Sequence, residues 1–157
     1  MNIIGPDALV FGVDNIAASA EYLTDFGLKP IGATDKGGYF EALDGTGIEI
    51  RHRDDPSLPP ALPTATMLRQ QVYGVQSAAD LDAIEAELSR DRRVSRMADG
   101  SLETTDCFDF ALKFQVTKRR ELVMEAEKIN APGAPAQRAP NELGVYPGMP
   151  ALPRSSA

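Results

Sequence analysis

The chain has 157 residues, 43% of them hydrophobic, with 16 Lys and Arg against 23 Asp and Glu. That is enough for one ordinary globular domain and too little for two full-sized ones. A formal net charge of −7 and a pI near 4.7 set the surface against phosphate backbones and anionic headgroups, which argues against nucleic-acid and membrane-surface roles. The single Cys107 excludes an internal disulfide, and the single His52 excludes any site that needs two imidazoles of its own. No apolar run approaches the roughly 18–20 residues of a membrane helix, and residues 1–6 lack the basic-then-apolar pattern of a secretory signal, so the expected location is the cytoplasm.

In chain order, Ala8 to Val13 is apolar and β-rich, and Asp14 or Asn15 then offers a side-chain oxygen to cap a helix. That helix is expected to run to about Phe26, with Ile16, Ala20 and Leu23 on one face and Gly27 as its left-handed stop. Three strands follow: Leu28 to Ala33, Tyr39 to Leu43 and Gly47 to His52. The turns Asp35-Lys36-Gly37-Gly38 and Asp44-Gly45 separate them. The first half therefore reads βαβββ.

From Asp54 to Thr64, the prolines Pro56, Pro59, Pro60 and Pro63 rule out the middle of a helix or sheet and mark a connector. The order then repeats. A strand runs through Met67 to Val75, Ser77 is an N-cap with Asp80 three positions on, and a helix presents Leu81, Ile84 and Leu88 on one side. Strands at Val94 to Met97, Ser101 to Thr105 and Phe110 to Thr117 complete a second βαβββ unit. The echo of Val10-Phe11-Gly12-Val13 in Val72-Tyr73-Gly74-Val75 marks the same internal repeat. Repeat one is placed at 7–52 and repeat two at 66–117, within a module spanning 1–117. Beyond it, Arg119 to Ile129 could continue as a helix, and six of the twelve prolines lie after Asn130. Residues 118–157 thus read as a helical extension followed by a Pro-rich tail or inter-module linker.

Two tandem βαβββ units, each opening on an apolar strand, a Gly-Val step and a polar cap, resemble the vicinal oxygen chelate superfamily. It includes glyoxalase I, the bleomycin-resistance proteins and the extradiol ring-cleavage dioxygenases. The stretch Leu9-Val10-Phe11-Gly12-Val13-Asp14-Asn15-Ile16-Ala17-Ala18-Ser19, continuing to Asp25-Phe26-Gly27-Leu28, is most similar to the opening of the first, metal-free module of a two-module type I extradiol dioxygenase. In the tail, Gly144-Val145-Tyr146 and Pro150-Ala151-Leu152-Pro153-Arg154 resemble the bridge that precedes a second module. The resemblance implies an α+β fold in which the paired units form one curved mixed sheet around a cup, helices outside.

It also implies where a divalent metal would sit. Family ligands project into the cup from the first and last strand of each repeat, and such ions need His nitrogen and carboxylate oxygen donors. Here the two first-strand positions hold Ala8 and Gln70, and the last-strand positions hold Glu49 and Lys113. Glu49 is the sole surviving family-position ligand, so no metal and no cofactor are expected in this chain, with Fe(II) left to a partner module on the dioxygenase reading. Strand alternation puts Glu49 and Arg51 on the cup side, Ile48 and Ile50 on the helix side, and His52 away from Glu49. Tyr39 and Phe110 are further cup-lining candidates, with core packing an equal explanation. No catalytic residue is identified. Cys107 lacks a dyad partner and reads as a buried or half-buried thiol, and Arg90, Arg92, Arg93 and Arg96 read as a solvated helix end.

Three functions are consistent with this. The first is a non-metal-binding module of an extradiol-dioxygenase-like protein of aromatic catabolism, inactive alone and supporting a catalytic module or subunit. The second is a stand-alone homodimer of the bleomycin-resistance type that binds a small aromatic molecule. The third is a metal-dependent glyoxalase or dioxygenase. Exposed edges of such a half-cup favour a homodimer or a tandem module as partner.

Overall fold

A computed structural model describes residues 2–63 and 67–122. The chain divides into two units, Met1–Glu121 and Leu122–Ala157, and all the elements named below belong to the first. In order they are β1 (Ile3–Val13), α1 (Ile16–Asp25), β2 (Lys29–Thr34), β3 (Gly37–Glu41), β4 (Gly47–His52), β5 (Leu68–Val75), α2 (Ala78–Leu88), β6 (Ser95–Arg96), β7 (Leu102–Thr105) and β8 (Ala111–Val116). The fold is α+β, with the βαβββ order present twice.

The eight strands form one mixed sheet in the order β2-β3-β4-β1-β5-β8-β7-β6. β1 and β5 meet antiparallel at its centre, and each runs parallel to the last strand of its own repeat, β1 with β4 and β5 with β8. The register makes the repeats equivalent residue by residue. Val10 faces Glu49 as Val72 faces Lys113.

Local chemistry starts both helices. The Asn15 side chain accepts from the Ala18 N–H at 3.0 Å, and the Ser77 side chain accepts from the Asp80 N–H. Each thereby satisfies a donor that the first helical turn leaves free. Gly27, at φ 103°, ends the first helix region in the left-handed conformation. Ile16 and Leu23 of α1 are buried with Val13, Phe40 and Ile50. Leu81 and Ile84 of α2 are buried with Val75, Leu102 and Phe114. Each repeat thus has its own apolar cluster between helix and sheet, and Tyr73 stacks on Phe114 in the second.

Several limits differ from the sequence expectation. β1 starts at Ile3 instead of Ala8, because bulges at Ile3/Gly5 and Pro6/Ala8 let the strand continue through Pro6. β3 starts at Gly37, where the φ is +138° and a Cβ would lie 2.2 Å from the Ile50 carbonyl oxygen, so the turn shrinks to Asp35 and Lys36. The β6 strand is two residues long. Residues Arg119–Leu122 are not helical, since the Arg119 and Arg120 side chains and the Arg120 N–H are committed elsewhere. The rest of the expected helix and the Pro-rich tail lie outside the described residues. Cys107 is exposed, not buried. It sits in a turn organised by Asp106, whose Oδ1 accepts from the Phe108 and Phe110 N–H groups at 2.8 and 3.0 Å.

Ile50 and Leu102 are 2% and 0% exposed, one in each apolar cluster. Truncation of either to Ala is expected to cost about 2–5 kcal/mol of unfolding free energy. Urea denaturation should register a lowered midpoint with an unchanged slope, and a loss confined to one variant would contradict two clusters of equal weight.

Candidate functional site: a metal-poor cup

The concave face of the sheet encloses a cavity of about 600 Å³. Its floor is made by the two central strands, with Ala8 and Val10 on β1 and Gln70 and Val72 on β5. Glu49 and Arg51 enter from β4, Tyr39 from β3 and Lys113 from β8. Phe110, the remaining candidate, is outside the lining and precedes β8 at the Asp106 turn. His52 is also outside, its side chain half exposed, with Nδ1 accepting from the Asp54 N–H at 3.3 Å.

The polar groups of the cup are mostly matched. Arg51 Nε donates to Glu49 Oε1 at 2.7 Å, and Arg51 Nη1 donates to Ser57 Oγ at 2.7 Å, which ties β4 to the Pro-rich connector. The Tyr39 hydroxyl donates to the Gly45 carbonyl at 3.0 Å. Burial first, and then the carboxylates of Glu41, Asp7, Asp44 and Glu49, push that phenol above its ordinary range, so it stays protonated. Lys113 Nζ lies 3.3 Å from Asp99 Oδ2 at the rim.

One wall of the cup was not anticipated from the sequence. Asp7 is 5% exposed. Its carboxylate accepts from Gln115 Nε2 at 3.2 Å, Thr117 Oγ1 at 3.0 Å and Arg119 Nε at 3.2 Å, and Arg119 Nη2 also donates to the Pro6 carbonyl. The approach requires Gly74, since a Cβ there would lie 2.3 Å from Asp7 Oδ1. Next along the chain, the Arg120 N–H donates to the Asp44 carbonyl at 2.8 Å, and Arg120 Nη2 to Glu41 Oε1 at 2.7 Å. The Arg120 hydrogen bond holds the Glu41 carboxyl below its usual range. Residues 118–120 therefore strap the end of repeat two to the β3–β4 turn of repeat one. The available signal was a run of Lys118-Arg119-Arg120 directly after a strand, in a chain whose acidic residues needed partners.

The described residues fail the donor test for a metal. At the four equivalent positions, Ala8 has no lone pair, Gln70 offers only a neutral amide, Glu49 is already ion-paired with Arg51 at 2.5 Å, and Lys113 is a cation. Among the described residues no group of three or more His, Cys, Asp and Glu is placed to hold an ion. Outside the cup, three of the four clustered arginines are paired locally. Arg90 pairs with Glu87, Arg92 with Asp91, and Arg96 with Asp82 and Glu85.

Two outcomes follow from these contacts. Gly74→Ala is expected to cost about 2–3 kcal/mol by displacing the Asp7 carboxylate, and Asp7→Ala a similar amount by leaving Arg119 and two other donors unmatched. A double-mutant cycle in urea should then find the two losses strongly non-additive. Separately, Ser101 holds the Asp99 carboxyl at about 2 against its ordinary 3.8 through its hydroxyl and its N–H, with Lys113 adding to this. A depressed carboxylate stabilises the folded state fully above its unfolded value and loses that stability as pH falls through its folded value. Unfolding free energy measured from pH 5 to pH 2 should therefore fall less steeply in Asp99→Asn than in the parent.

No protein-family model matches the chain, and no curated protein sequence matches it. Solved structures do. Homoprotocatechuate 2,3-dioxygenase from Arthrobacter globiformis superimposes with a TM-score of 0.60 at 22% identity, over 76% of this chain and 38% of that one. The anaerobic substrate complex of the Brevibacterium fuscum enzyme with 3,4-dihydroxyphenylacetate gives 0.60 at 19% identity, over 76% and 39%. A room-temperature structure of an extradiol ring-cleaving dioxygenase from B. fuscum gives 0.59 at 20%, over 76% and 34%. The chain thus spans well under half the length of these relatives. With its paired βαβββ units, its single mixed sheet and its cup, it has the fold of these extradiol ring-cleaving dioxygenases.

Proposed function

We infer that this chain is a non-metal-binding module of an extradiol-dioxygenase-like protein of aromatic catabolism, supporting a catalytic module or subunit that holds the iron. The observation that carries this reading is the donor set of the cup. A methyl, an amide, an ion-paired carboxylate and an ammonium occupy the four equivalent strand positions, and that combination repels a divalent cation. The extent of the likeness supports it as well, because about three quarters of this chain corresponds to little more than a third of each dioxygenase.

The partner on this reading is a second βαβββ pair, carried in tandem or on another subunit, in the cytoplasm. The strands β2 and β6 end the sheet, and both leave backbone groups for a neighbour to cover. No helix among the described residues is long and apolar enough to cross a membrane.

The test is metal content and ring cleavage measured on the same preparation. The purified chain, incubated aerobically with Fe(II) and 3,4-dihydroxyphenylacetate, is expected to retain no near-stoichiometric metal after desalting and to produce no ring-opened chromophore. Tightly held iron together with cleavage would overturn the assignment and favour a metal-dependent enzyme acting alone.

A further inference from the structure

Among the described residues, one polar group of the cup has no partner. Gln70 is 8% exposed and lines the cavity floor, yet its side-chain amide has no hydrogen-bond partner among the described residues. A carboxamide has two N–H donors and one acceptor, and those of Gln70 are open to whatever fills the cavity. Its surroundings offer the body of a ligand something to rest on, since Val10 and Val72 flank it on the floor and Ala8 lies beside Val72 in register.

The charge around it selects the kind of ligand. Five cations, Arg51, Lys113, Lys118, Arg119 and Arg120, line the cavity with four carboxylates, Asp7, Glu41, Glu49 and Glu103, in a chain whose overall charge is −7. Ion pairs consume Arg51, Arg119 and Arg120. Lys113 is one strand across and two residues along from Gln70, since it faces Val72 and Gln70 faces Ala111. Its contact with Asp99 is long, at 3.3 Å, and Asp99 is 60% exposed at the rim. Lys113 is 22% exposed and also lies opposite Glu103, and a contact whose carboxylate stands largely in water is weak enough to exchange for a better-enclosed anion. Lys113 and Gln70 therefore line the same cavity on neighbouring strands.

We propose that the cup binds a compact organic carboxylate, its anionic oxygens taken by Lys113 Nζ and the Gln70 amide N–H and its apolar body set on Val10, Val72 and Ala8. The proposal concerns this chain's own cavity and holds whether or not a catalytic module accompanies it. It gives the cup an occupant that its own side chains can hold.

Titration of the ¹⁵N-labelled full chain with sodium phenylacetate, followed by amide NMR, tests it, with 2-phenylethanol as the neutral counterpart. Saturable movement of the Gln70 side-chain resonances is expected with the acid and not with the alcohol. Lys113→Met should weaken binding about tenfold or more, because a hydrogen bond to a charged group is lost, and Lys113→Arg should restore part of it. Gln70→Leu should weaken binding likewise while its thermal midpoint holds or rises, because the amide it removes makes no hydrogen bond among the described residues. Equal binding of the alcohol, absence of any saturable shift, unchanged affinity in both Lys113→Met and Gln70→Leu, or a fall in the midpoint of Gln70→Leu would overturn the proposal.

Discussion

A buried carboxylate at the seam between the repeats fixes the geometry of everything around it. Asp7 comes from the start of the central strand β1, and its partners Gln115, Thr117 and Arg119 come from the far end of repeat two. Removing a carboxylate from water costs several kcal/mol unless its lone pairs are met, so Asp7 is compatible with this sheet only while those donors are in place. Three donors and the close approach over Gly74 supply that condition. The consequence extends along the chain. With Arg119 held on Asp7, Arg120 falls on Asp44 and Glu41, and the segment after β8 is drawn across the mouth of the cup instead of continuing as a helix.

The two repeats share a backbone and differ in what they place upon it. Gly12 and Gly74 are equivalent, and each leaves room for a different visitor. Leu58 of the connector and the guanidinium of Arg69 lie 3.1 Å from where a Cβ on Gly12 would be, whereas Asp7 lies over Gly74. Core volume is exchanged in the same manner. Gly38 pairs with Ile50 in repeat one where Leu102 pairs with Phe114 in repeat two, and in compensation Phe40 pairs with Ile48 where Thr104 pairs with Leu112. Each apolar cluster reaches close packing by its own combination, which is why the sequences of the halves agree over four residues while their frames agree throughout.

That difference also explains how much of the molecule was legible in the sequence. Along Ile48-Glu49-Ile50-Arg51 a single unbroken register governs β4, so plain alternation describes which side chains pack in the apolar cluster and which line the cavity. The caps Asn15 and Ser77 were readable because they act within four residues. Asp7 was not, for alternation counted back from Val10 fails at the Pro6/Ala8 bulge, which turns Asp7 and Ala8 both toward the cavity. Its partners lie more than a hundred residues away, and no local pattern announces a contact of that span. Cys107 misled for the opposite reason. Cysteine is commonly buried, but the Asp106 turn that carries it projects from the sheet.

The two charged side chains at the strand positions of the cup, Glu49 and Lys113, are each matched by their neighbours. Glu49 is neutralised by Arg51 two residues on. Lys113 lies opposite Glu103 in the β7–β8 register and reaches Asp99 at the rim. A carboxylate substituted for Lys113 would therefore face two others with no cation among them, and like charges directly opposite in a sheet are unfavourable. A ligand set could not be rebuilt there by one substitution. It would need donors at Ala8 and Gln70, release of Glu49 from Arg51, and relief of the negative charge gathered by Glu103 and Asp99. In the second repeat Lys113 is thus held between two carboxylates, Glu103 across the strand pair and Asp99 beyond it, where the first repeat sets Glu49 against Arg51.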